Sequence, residues 1–596
     1  MSAVVVASLA AAWGLYCWWT FAPDLGNRLR DDAYYEFVWA INFAEGRCGT
    51  VSDGVTTSGV QWLWTLLLAG IAWLFGSQAV LLAPFLGGAL HVVNAAIWWR
   101  LPRDRATGVV LALCWLGHPL LLREAQNGQE TALAVLCATG VYALRHGRER
   151  SFVPMCILAT LARSDLFALV FVMSLCRHRR APFCALPAPV LSFAALAALN
   201  LHFGGGLLQD SGMPMSWLWH QNLEQVAGFW SSQWWFTRPV LLGGPFALAS
   251  TFGFGLVAFL LIRPWWPAAL RVVPAVAVGA AASLGVHDLA TAGWCALLLA
   301  LFPAVKLRPM PCWLLAVTVG LVAIVVLHWA IRWYPRDYYL APLVVAAFAA
   351  MQRLGRWRLL LLAFPIVQLQ DSWRVQPEPL GGQAEMRLAG QLLERTLPAS
   401  ERVGCFNSGI VTWFDAFPDP VHRDRPRGIV NLDGVVDRRS FAALQAHRLG
   451  AWLDEQGVRF VLDSPHQFSL DPAVPHACGR FFGDGFDPDV DLVEVARFDV
   501  AGVHGALPSS DSMRLYWRRG RGAPPARWIE PGTLRSLGPE EASPRLVLWG
   551  AQAGASLLAR WPGGERLLAR VDVDTAVVLE LPSSLPDGAS LHIERR

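Results

Sequence analysis

Apolar stretches recur along the first 369 residues of the chain and constrain its fold more than any other feature. A membrane-spanning helix needs about 20 apolar residues, or about 17 at the short end. Several stretches are shorter, as expected of half-helices or of segments that dip into the membrane. The pattern predicts an α-helical polytopic membrane protein with about 11–14 membrane segments. The clearest stretches cover residues 3–22, 60–76, 79–99, 106–122, 131–144, 152–162, 165–176, 183–201, 240–262, 272–286, 289–305, 311–331, 339–351 and 357–369.

The composition agrees with a membrane protein and excludes other classes. Charged residues make up 16% of the chain, against roughly 25% in an average soluble protein. The net charge of +4 is too small to indicate a nucleic-acid partner. No Lys or Arg precedes the stretch over 3–22, so we expect a retained membrane helix there rather than a cleaved signal peptide. Most of the tryptophans, including Trp62, Trp64 and Trp98, are predicted to lie in aromatic belts at the membrane surfaces.

The loops between the apolar stretches are of two kinds, and the difference predicts sidedness. Basic loops, which are typical of the cytoplasmic side, cover residues 100–105, 145–150, 177–180, 306–308 and 353–358. Longer or chemically mixed loops cover residues 23–59, 123–130, 203–238 and 332–338. The two kinds alternate from residue 100 onward, which places the second kind and the C-terminal domain outside the plasma membrane. Loop 23–59 is also placed outside for its motifs, although complete spans over both 60–76 and 79–99 would put it in the cytoplasm.

The composition changes after residue 369, where charged residues, Pro and Gly increase. Short buried strands are predicted at 402–407, 428–432 and 458–463, and helices at 384–396 and 440–456, which indicates a soluble α/β domain. Short apolar runs over 545–549 and 575–581 predict antiparallel strands in a small β-rich tail. The predicted domains are therefore a membrane domain over 1–369, an α/β domain over 370–520 and a β-rich region over 521–596.

An acidic pair, Asp31 and Asp32, opens the first predicted outer loop. A helix follows that should lie on the membrane surface, because one face is apolar and carries Ala33, Phe37, Ala40, Ile41 and Ala44. The pair stands at the N-terminal end, where the helix dipole favours negative charge. Asp32 alone would satisfy the role of an N-cap. Position by itself therefore leaves both a capping role and a chemical role open.

Several short motifs follow this pair in a fixed order. They are Asn127-Gly128-Gln129-Glu130, Arg163-Ser164-Asp165, Asn200 to Gly212, Arg336-Asp337-Tyr338-Tyr339, Val403 to Gly409, and Asn431-Leu432-Asp433-Gly434. With the first loop, this series resembles the motifs of the GT-C glycosyltransferases, in particular the bacterial arabinofuranosyl- and mannosyl-transferases that use polyprenyl-phosphate sugars. The chain departs from the family at Gly59–Trp64, where a Tyr and a Pro are replaced, and at Met213–Met215, where the family often has a Lys.

The resemblance implies an integral membrane glycosyltransferase that moves a sugar from a polyprenyl-phosphate carrier to an extracytoplasmic glycan, lipid or protein, with inversion. It implies an Asp31 or Asp32 general base, which takes a proton from the acceptor hydroxyl. Arginines would hold the lipid phosphate through their planar fork of donors. The residues expected around the substrate and lipid phosphate are Glu130, Arg163, Asp165, Arg336, Tyr338 and Tyr339.

Structural roles are alternatives for three of these residues. Arg163 is placed to form an ion pair with Asp165, Arg336 to lie at the interface beside aromatic residues, and Glu130 to cap the next helix. The sequence identifies no cofactor besides the polyprenyl-phosphate sugar that serves as donor substrate. A divalent metal stays open as an alternative, although no cluster or spacing of His, Cys and carboxylates supports one.

Two other classes of function remain open. A membrane transporter or lipid flippase would favour broken helices and acids near mid-membrane, whereas the acids here cluster at loop edges. A non-catalytic scaffold of the same fold would account for the departures from the family motifs.

Overall fold

The computed structural model describes residues 29–52, 54–178, 182–223, 312–330, 337–352, 383–397, 401–416, 428–472, 474, 477–498 and 513–519, with strand segments at 535–536, 545–548, 555–561, 564–570, 577–580 and 590–595. The predicted apolar stretches over 3–22, 240–262, 272–286, 289–305 and 357–369 lie outside these residues.

The α-helices of the described residues range from 4 to 19 residues in length. In chain order they are α1 (Asp31–Ala44), α2 (Trp62–Phe75), α3 (Ala83–Arg100), α4 (Arg105–Leu116), α5 (Pro119–Gln126), α6 (Thr131–Ala143), α7 (Glu149–Ala162), α8 (Phe167–Arg177), α9 (Pro187–Phe203), α10 (Gly212–Leu223), α11 (Cys312–Ala330), α12 (Asp337–Leu340), α13 (Leu343–Met351), α14 (Gln383–Thr396), α15 (Ser408–Ala416), α16 (Arg438–Gln445), α17 (Leu449–Glu455) and α18 (Pro488–Asp491).

The strands of the described residues form four sheets. They are β1 (Thr50–Ser52), β2 (Val55–Thr56), β3 (Val403–Cys405), β4 (Ile429–Asn431), β5 (Phe460–Asp463), β6 (Leu492–Phe498), β7 (Met513–Arg518), β8 (Arg535–Ser536), β9 (Arg545–Leu548), β10 (Ala555–Trp561), β11 (Gly564–Arg570), β12 (Val577–Glu580) and β13 (Ser590–Arg595). The sheet orders are β1-β2, β4-β3-β5-β7-β6, β11-β10-β13-β8 and β12-β9.

The described residues belong to two compact units, and neither is continuous in sequence. The first, here called the helical unit, takes them from Met1–Leu29, Val60–Gln209 and Ala227–Pro377. The second, here called the α/β unit, takes them from Arg30–Gly59, Asp210–Val226 and Glu378–Arg596. Two segments that the sequence places in the membrane domain, 30–59 and 210–226, are therefore grouped with the C-terminal part.

Helices occupy every predicted apolar stretch that falls in the described part of the helical unit. Among the described residues, Ser77–Arg100 (24 residues) and Phe183–Phe203 (21 residues) are long and apolar enough to cross a membrane. A third crossing is formed if Arg105–Leu116 and Leu120–Gln126, bent by 61°, are one broken span. The stretch predicted over 106–122 is broken because Pro119 lacks an N–H group and keeps His118 extended.

Buried aromatic side chains fill the core of the helical unit. The ring of Trp98 stacks on the rings of Trp115 and Tyr142, with centroids 5.5 and 5.6 Å away. Phe348 meets Trp115 edge-on, with their ring centroids 4.9 Å apart. Trp62 donates to Asn200 at 2.8 Å from a fully buried position. The prediction of an interface belt is thus wrong for Trp62 and Trp98, and for Trp64, which is also fully buried and donates to the carbonyl of Gly128. Large rings with one N–H group are stable in a core when that group finds an acceptor, as it does in Trp62 and Trp64.

The α/β unit contains a mixed sheet between two apolar layers. Strands β4, β3 and β5 are parallel, and β7 and β6 continue the sheet in antiparallel pairs. Side chains alternate across β5, so that Phe460 and Leu462 pack with α14 while Val461 packs with α16 and α17. One helix was predicted over 440–456, but two are present, since the chain breaks at His447, whose φ is 51°.

The first predicted outer loop, residues 23–59, contributes a helix and a hairpin to the α/β unit. Ser52 accepts from the amide of Asn431 and donates to Asp437 at 3.2 Å. The carboxylate of Asp210 accepts from the amide of Ser58 at 2.8 Å and from the hydroxyl of Thr57 at 3.1 Å. These contacts explain why residues 30–59 and 210–223 belong with a C-terminal sheet that lies far away in sequence.

Candidate active site

Asp31 stands at the first position of α1 and is held by the N-terminus of α15. Its Oδ1 accepts the backbone N–H of Ile410 at 2.6 Å. A Cβ atom on Gly409 would lie 2.5 Å from the carbonyl oxygen of Asp31 and 2.9 Å from Oδ1. Glycine is therefore the residue that lets the two helices approach this closely. The contact joins residues that are 379 positions apart in sequence.

The prediction that α1 lies on the membrane surface is wrong. Asp31 and all residues from Ala33 to Asn42 are buried. The rings of Tyr34 and Phe37 pack on that of Trp413 in α15, with centroid distances of 5.8 and 5.9 Å. The faces beside the predicted apolar face carry Tyr34, Tyr35 and Trp39, so that the helix has no wholly polar side. A helix that is apolar almost all round is stable when it is buried.

The N–H groups of the turn between β3 and α15 are all directed at side chains. Asp463, at the end of β5, accepts from the amides of Phe406 and Asn407, each at 3.0 Å. The hydroxyl of Tyr35 accepts from the amide of Ser408 at 3.0 Å. Such strand–turn–helix amides attract anions, and here the carboxylates of Asp463 and Asp31 and the hydroxyl of Tyr35 occupy them. The carboxyl ends of β3 and β5 meet at this point, where ligands are often bound in α/β sheets.

Electrostatics set the Asp31 carboxyl apart from an ordinary surface acid. The pKa of Asp31 is raised to about 7, mainly by burial; the Ile410 amide opposes the shift, whereas Asp32 and Asp463 contribute to it. Burial also raises the pKa of Asp433 to about 8 and that of Asp463. A carboxyl with a pKa near neutrality is suited to exchange protons at physiological pH.

Asp32 differs from Asp31 in its surroundings. It is partly exposed and stands at the second position of α1. The N-cap position is Arg30, and its side chain makes no capping bond. The prediction of Asp32 as the N-cap is therefore wrong, because α1 begins at Asp31, two residues earlier than that role requires.

In the helical unit, Arg163 and Asp165 form a buried bidentate ion pair. Nε and Nη2 of Arg163 donate to the two carboxylate oxygens at 2.9 and 2.8 Å. Nη1 of Arg163 donates to the carbonyl of Tyr338 at 2.7 Å. Only 2% of Arg163 is exposed. The structure therefore contains the ion pair that was the structural alternative for Arg163. The guanidinium group has more N–H groups than the three that donate in these bonds.

His328 completes this cluster, and the sequence did not single it out. The Nε2 atom of His328 lies 3.1 Å from Oδ2 of Asp165, and the ring centroids of His328 and Tyr339 are 4.1 Å apart. The hydroxyls of Tyr338 and Tyr339 are 3.2 Å apart. The available signal was a His in the last turn of a long apolar helix, where an ionisable side chain is unusual.

Glu130 is buried at the N-cap position of α6, but its side chain makes no capping bond. It acts electrostatically on Arg163 instead. The preceding Asn127-Gly128-Gln129 motif forms a turn: Asn127 bonds to Glu124 at 2.6 Å, and Gly128 has φ of 80°. The capping alternative for Glu130 is therefore wrong, while the motif around it is a structural turn.

The predicted site residues thus fall into two groups. Asp31 and Asp32 belong to the α/β unit, whereas Glu130, Arg163, Asp165, Tyr338 and Tyr339 gather in the helical unit. Arg336 lies outside the described residues. Within the described part of the chain, no group of three or more His, Cys, Asp or Glu side chains has the geometry to hold a metal ion.

The solved structures that resemble the chain include the following two. ArnT from Cupriavidus metallidurans, in the apo state, is 16% identical, with 87% of this chain and 98% of that chain covered and a TM-score of 0.35. The archaeal oligosaccharyltransferase AglB from Archaeoglobus fulgidus, in complex with an inhibitory peptide and a dolichol-phosphate, is 10% identical, with 99% and 96% covered and a TM-score of 0.39.

Both structures are of GT-C membrane glycosyltransferases, the superfamily whose motifs the sequence resembles. No protein-family model matches the chain, and no curated protein matches it in sequence. Both TM-scores lie below 0.5, so neither likeness assigns an activity to this chain.

Proposed function

We propose that the protein is an integral membrane glycosyltransferase that moves a sugar from a polyprenyl-phosphate carrier to an extracytoplasmic acceptor. The observation that carries the proposal is the Asp31 carboxyl, which is buried, held at 2.6 Å by the Ile410 amide and raised in pKa to about 7. It opens the loop that resembles the catalytic loop of the GT-C enzymes. A base for an acceptor hydroxyl needs a fixed position and a pKa near the working pH.

Asp31 would act in one inverting step. The acceptor oxygen forms a bond to the anomeric carbon of the sugar while Asp31 takes the hydroxyl proton. The bond between that carbon and the phosphate oxygen breaks on the opposite face, and the polyprenyl phosphate leaves with the electron pair. Because its pKa is raised to about 7, Asp31 can accept a proton at physiological pH and release it again.

The cluster in the helical unit is the proposed partner of the leaving lipid phosphate. Arg163, fixed by Asp165 and by the carbonyl of Tyr338, would present its remaining N–H groups, and Arg336, Tyr338 and Tyr339 would add a cation and hydroxyl donors. Charge-assisted bonds of this kind are the strong ones. The proposal includes no metal ion and no further cofactor.

The site would work at the outer surface of the plasma membrane. The lipid bilayer and the lipid-linked sugar are the partners on one side, and a glycan, lipid or protein acceptor on the other. The basic loops over 100–105, 145–150 and 177–180 support this orientation.

The decisive test compares Asp31→Asn with Asp32→Asn in membranes supplied with polyprenyl-phosphate sugars and acceptors. Asn keeps the shape of Asp and removes the basic oxygen, so Asp31→Asn should lower turnover by roughly 10²–10⁴-fold. Asp32→Asn is the matched control and should keep most activity at equal expression. Activity that survives in Asp31→Asn but disappears in Asp32→Asn would assign the base to Asp32. Full activity in both variants would end the transferase proposal.

One observation favours a second candidate, a membrane transporter or lipid flippase. The Arg163–Asp165–His328 cluster is buried in the helical unit, and ionisable groups inside membrane bundles often belong to transport pathways. Reconstituted vesicles would separate the two functions. Movement of a labelled lipid-linked sugar between leaflets without glycosidic transfer would favour transport, and it should then depend on Asp165 and not on Asp31. A scaffold would show neither activity.

A further inference from the structure

Two cysteine thiols touch at one end of a helix pair in the helical unit. Cys176 lies in the last turn of α8, and Cys312 is the first residue of α11. Their Sγ atoms are 2.7 Å apart, and neither cysteine is part of a disulfide bond. A disulfide bond is about 2.05 Å long, so the two sulfur atoms need to move by less than an ångström to become bonded.

Both thiols can be reached from outside the helix pair. Cys312 is exposed and Cys176 is partly exposed, whereas Cys114, Cys137 and Cys156 are buried. Thiol–disulfide exchange requires such access, because the attacking sulfur and the oxidant must meet. Contact and access together distinguish this pair from the other cysteines of the described residues.

The same two helices carry part of the ion-pair cluster at their opposite end. Helices α8 and α11 are antiparallel, since Cys176 meets Cys312 while Asp165, just before α8, meets His328 near the end of α11. Between these ends the helices are tightly packed, because a Cβ atom on Gly320 would lie 2.8 Å from the Cα of Leu169. A covalent bond at the cysteine end would therefore restrain the helix pair that forms the Asp165–His328 contact.

We propose that Cys176 and Cys312 are a site of reversible oxidative modification that closes an intramolecular disulfide between α8 and α11. The oxidant is a small-molecule disulfide or an equivalent two-electron thiol oxidant. One thiolate attacks a sulfur of the oxidant, displaces its thiolate and forms a mixed disulfide. The second cysteine then attacks the first, the Sγ–Sγ bond forms and the second thiol leaves. Two protons and two electrons pass from the cysteine pair to the oxidant in total.

The test counts accessible thiols in the full-length protein, purified in detergent. The protein is treated with oxidised glutathione or with diamide, excess reagent is removed, and the denatured chain is labelled with a polyethylene-glycol maleimide that shifts its mobility on a gel. Oxidised wild-type protein should carry two fewer labels than untreated protein, and dithiothreitol should restore both. Peptide mapping of the oxidised wild type should find the peptides of Cys176 and Cys312 linked.

Three variants complete the experiment. Cys176→Ser and Cys312→Ser should each abolish the loss of two labels, because either thiol is then left without its partner. Cys184→Ser is the matched control, since Cys184 is an exposed free cysteine, and it should leave the loss unchanged. Labelling that is unaffected by the oxidant in wild-type protein would overturn the proposal. It would also be overturned by a peptide map that links either cysteine to another residue, which can be read even if a variant fails to fold.

Discussion

The contact between Asp31 and α15 can be tested by adding a single methyl group at Gly409. The Cβ atom of Gly409→Ala would lie 2.5 Å from the carbonyl oxygen of Asp31, a separation that real Cβ contacts do not show, since they stay beyond 3.0 Å. The two helices must therefore separate by about 0.5 Å or more. Overpacking of this kind costs about 1–3 kcal/mol.

The expected loss of stability is partly offset by helix propensity. Ala is favoured over Gly inside a helix by about 1 kcal/mol, and Gly409 lies at the second position of α15. We therefore expect a net loss of about 1 kcal/mol, which corresponds to roughly 2–4 °C in the Tm of a unit of 150–250 residues. The loss in turnover should be larger, because a displacement of about 1 Å of a reacting group can cost about 10²-fold.

The assay measures turnover on polyprenyl-phosphate sugars together with Tm. Gly212→Ala is the matched control, because Gly212 also starts a helix of the α/β unit and a Cβ there meets no atom within 4 Å. This control should keep wild-type turnover and Tm. Gly409→Ala with both values unchanged would refute the contact between Asp31 and α15. A lower Tm with full turnover would show that the contact is structural and that the position of Asp31 does not limit the reaction.

Three further predictions concern pH, the ion pair and sidedness. Turnover should rise with pH through about 7 as Asp31 ionises, and the midpoint should move to lower pH in Asp463→Asn, which removes a charge that raises the pKa of Asp31; a flat profile would contradict this role. Because the pKa of Asp31 is higher in the folded chain than the value of 3.8 in the unfolded chain, the folded chain keeps a proton that the unfolded chain releases. The free energy of unfolding should therefore fall as the pH rises from about 4 to 7. Arg163→Met leaves the buried Asp165 carboxylate without its bidentate partner and should cost about 3–5 kcal/mol in thermal unfolding, whereas an unchanged Tm would show that the pair is not formed. In intact cells, with the exposed native cysteines replaced, an impermeant maleimide should label Gln221→Cys and spare Arg148→Cys; equal labelling would contradict the predicted orientation.

Local sequence determined much of the helical unit, because the signals there are local ones. A run of apolar side chains of sufficient length favours a helix wherever it occurs, and each stretch predicted within the described residues is helical. A helix next to the acidic pair and its end before Gly46 were also predicted, although α1 begins at Asp31, earlier than a cap at Asp32 would place it. The break at Pro119 could have been read as well, since the missing N–H group acts on the nearest residues.

Tertiary structure alone decided how the candidate site is assembled. The Ile410 amide that holds Asp31 lies 379 positions along the chain, and His328 lies 163 positions from Asp165. No periodicity or motif encodes such pairs, because they depend on how strands and helices pack. The same holds for the pKa of Asp31, whose main cause is burial. The sequence therefore identified the acidic pair and the Arg163–Asp165 ion pair, whereas packing gave Asp31 and Asp32 different surroundings and brought His328 and the Tyr338 carbonyl to the ion pair.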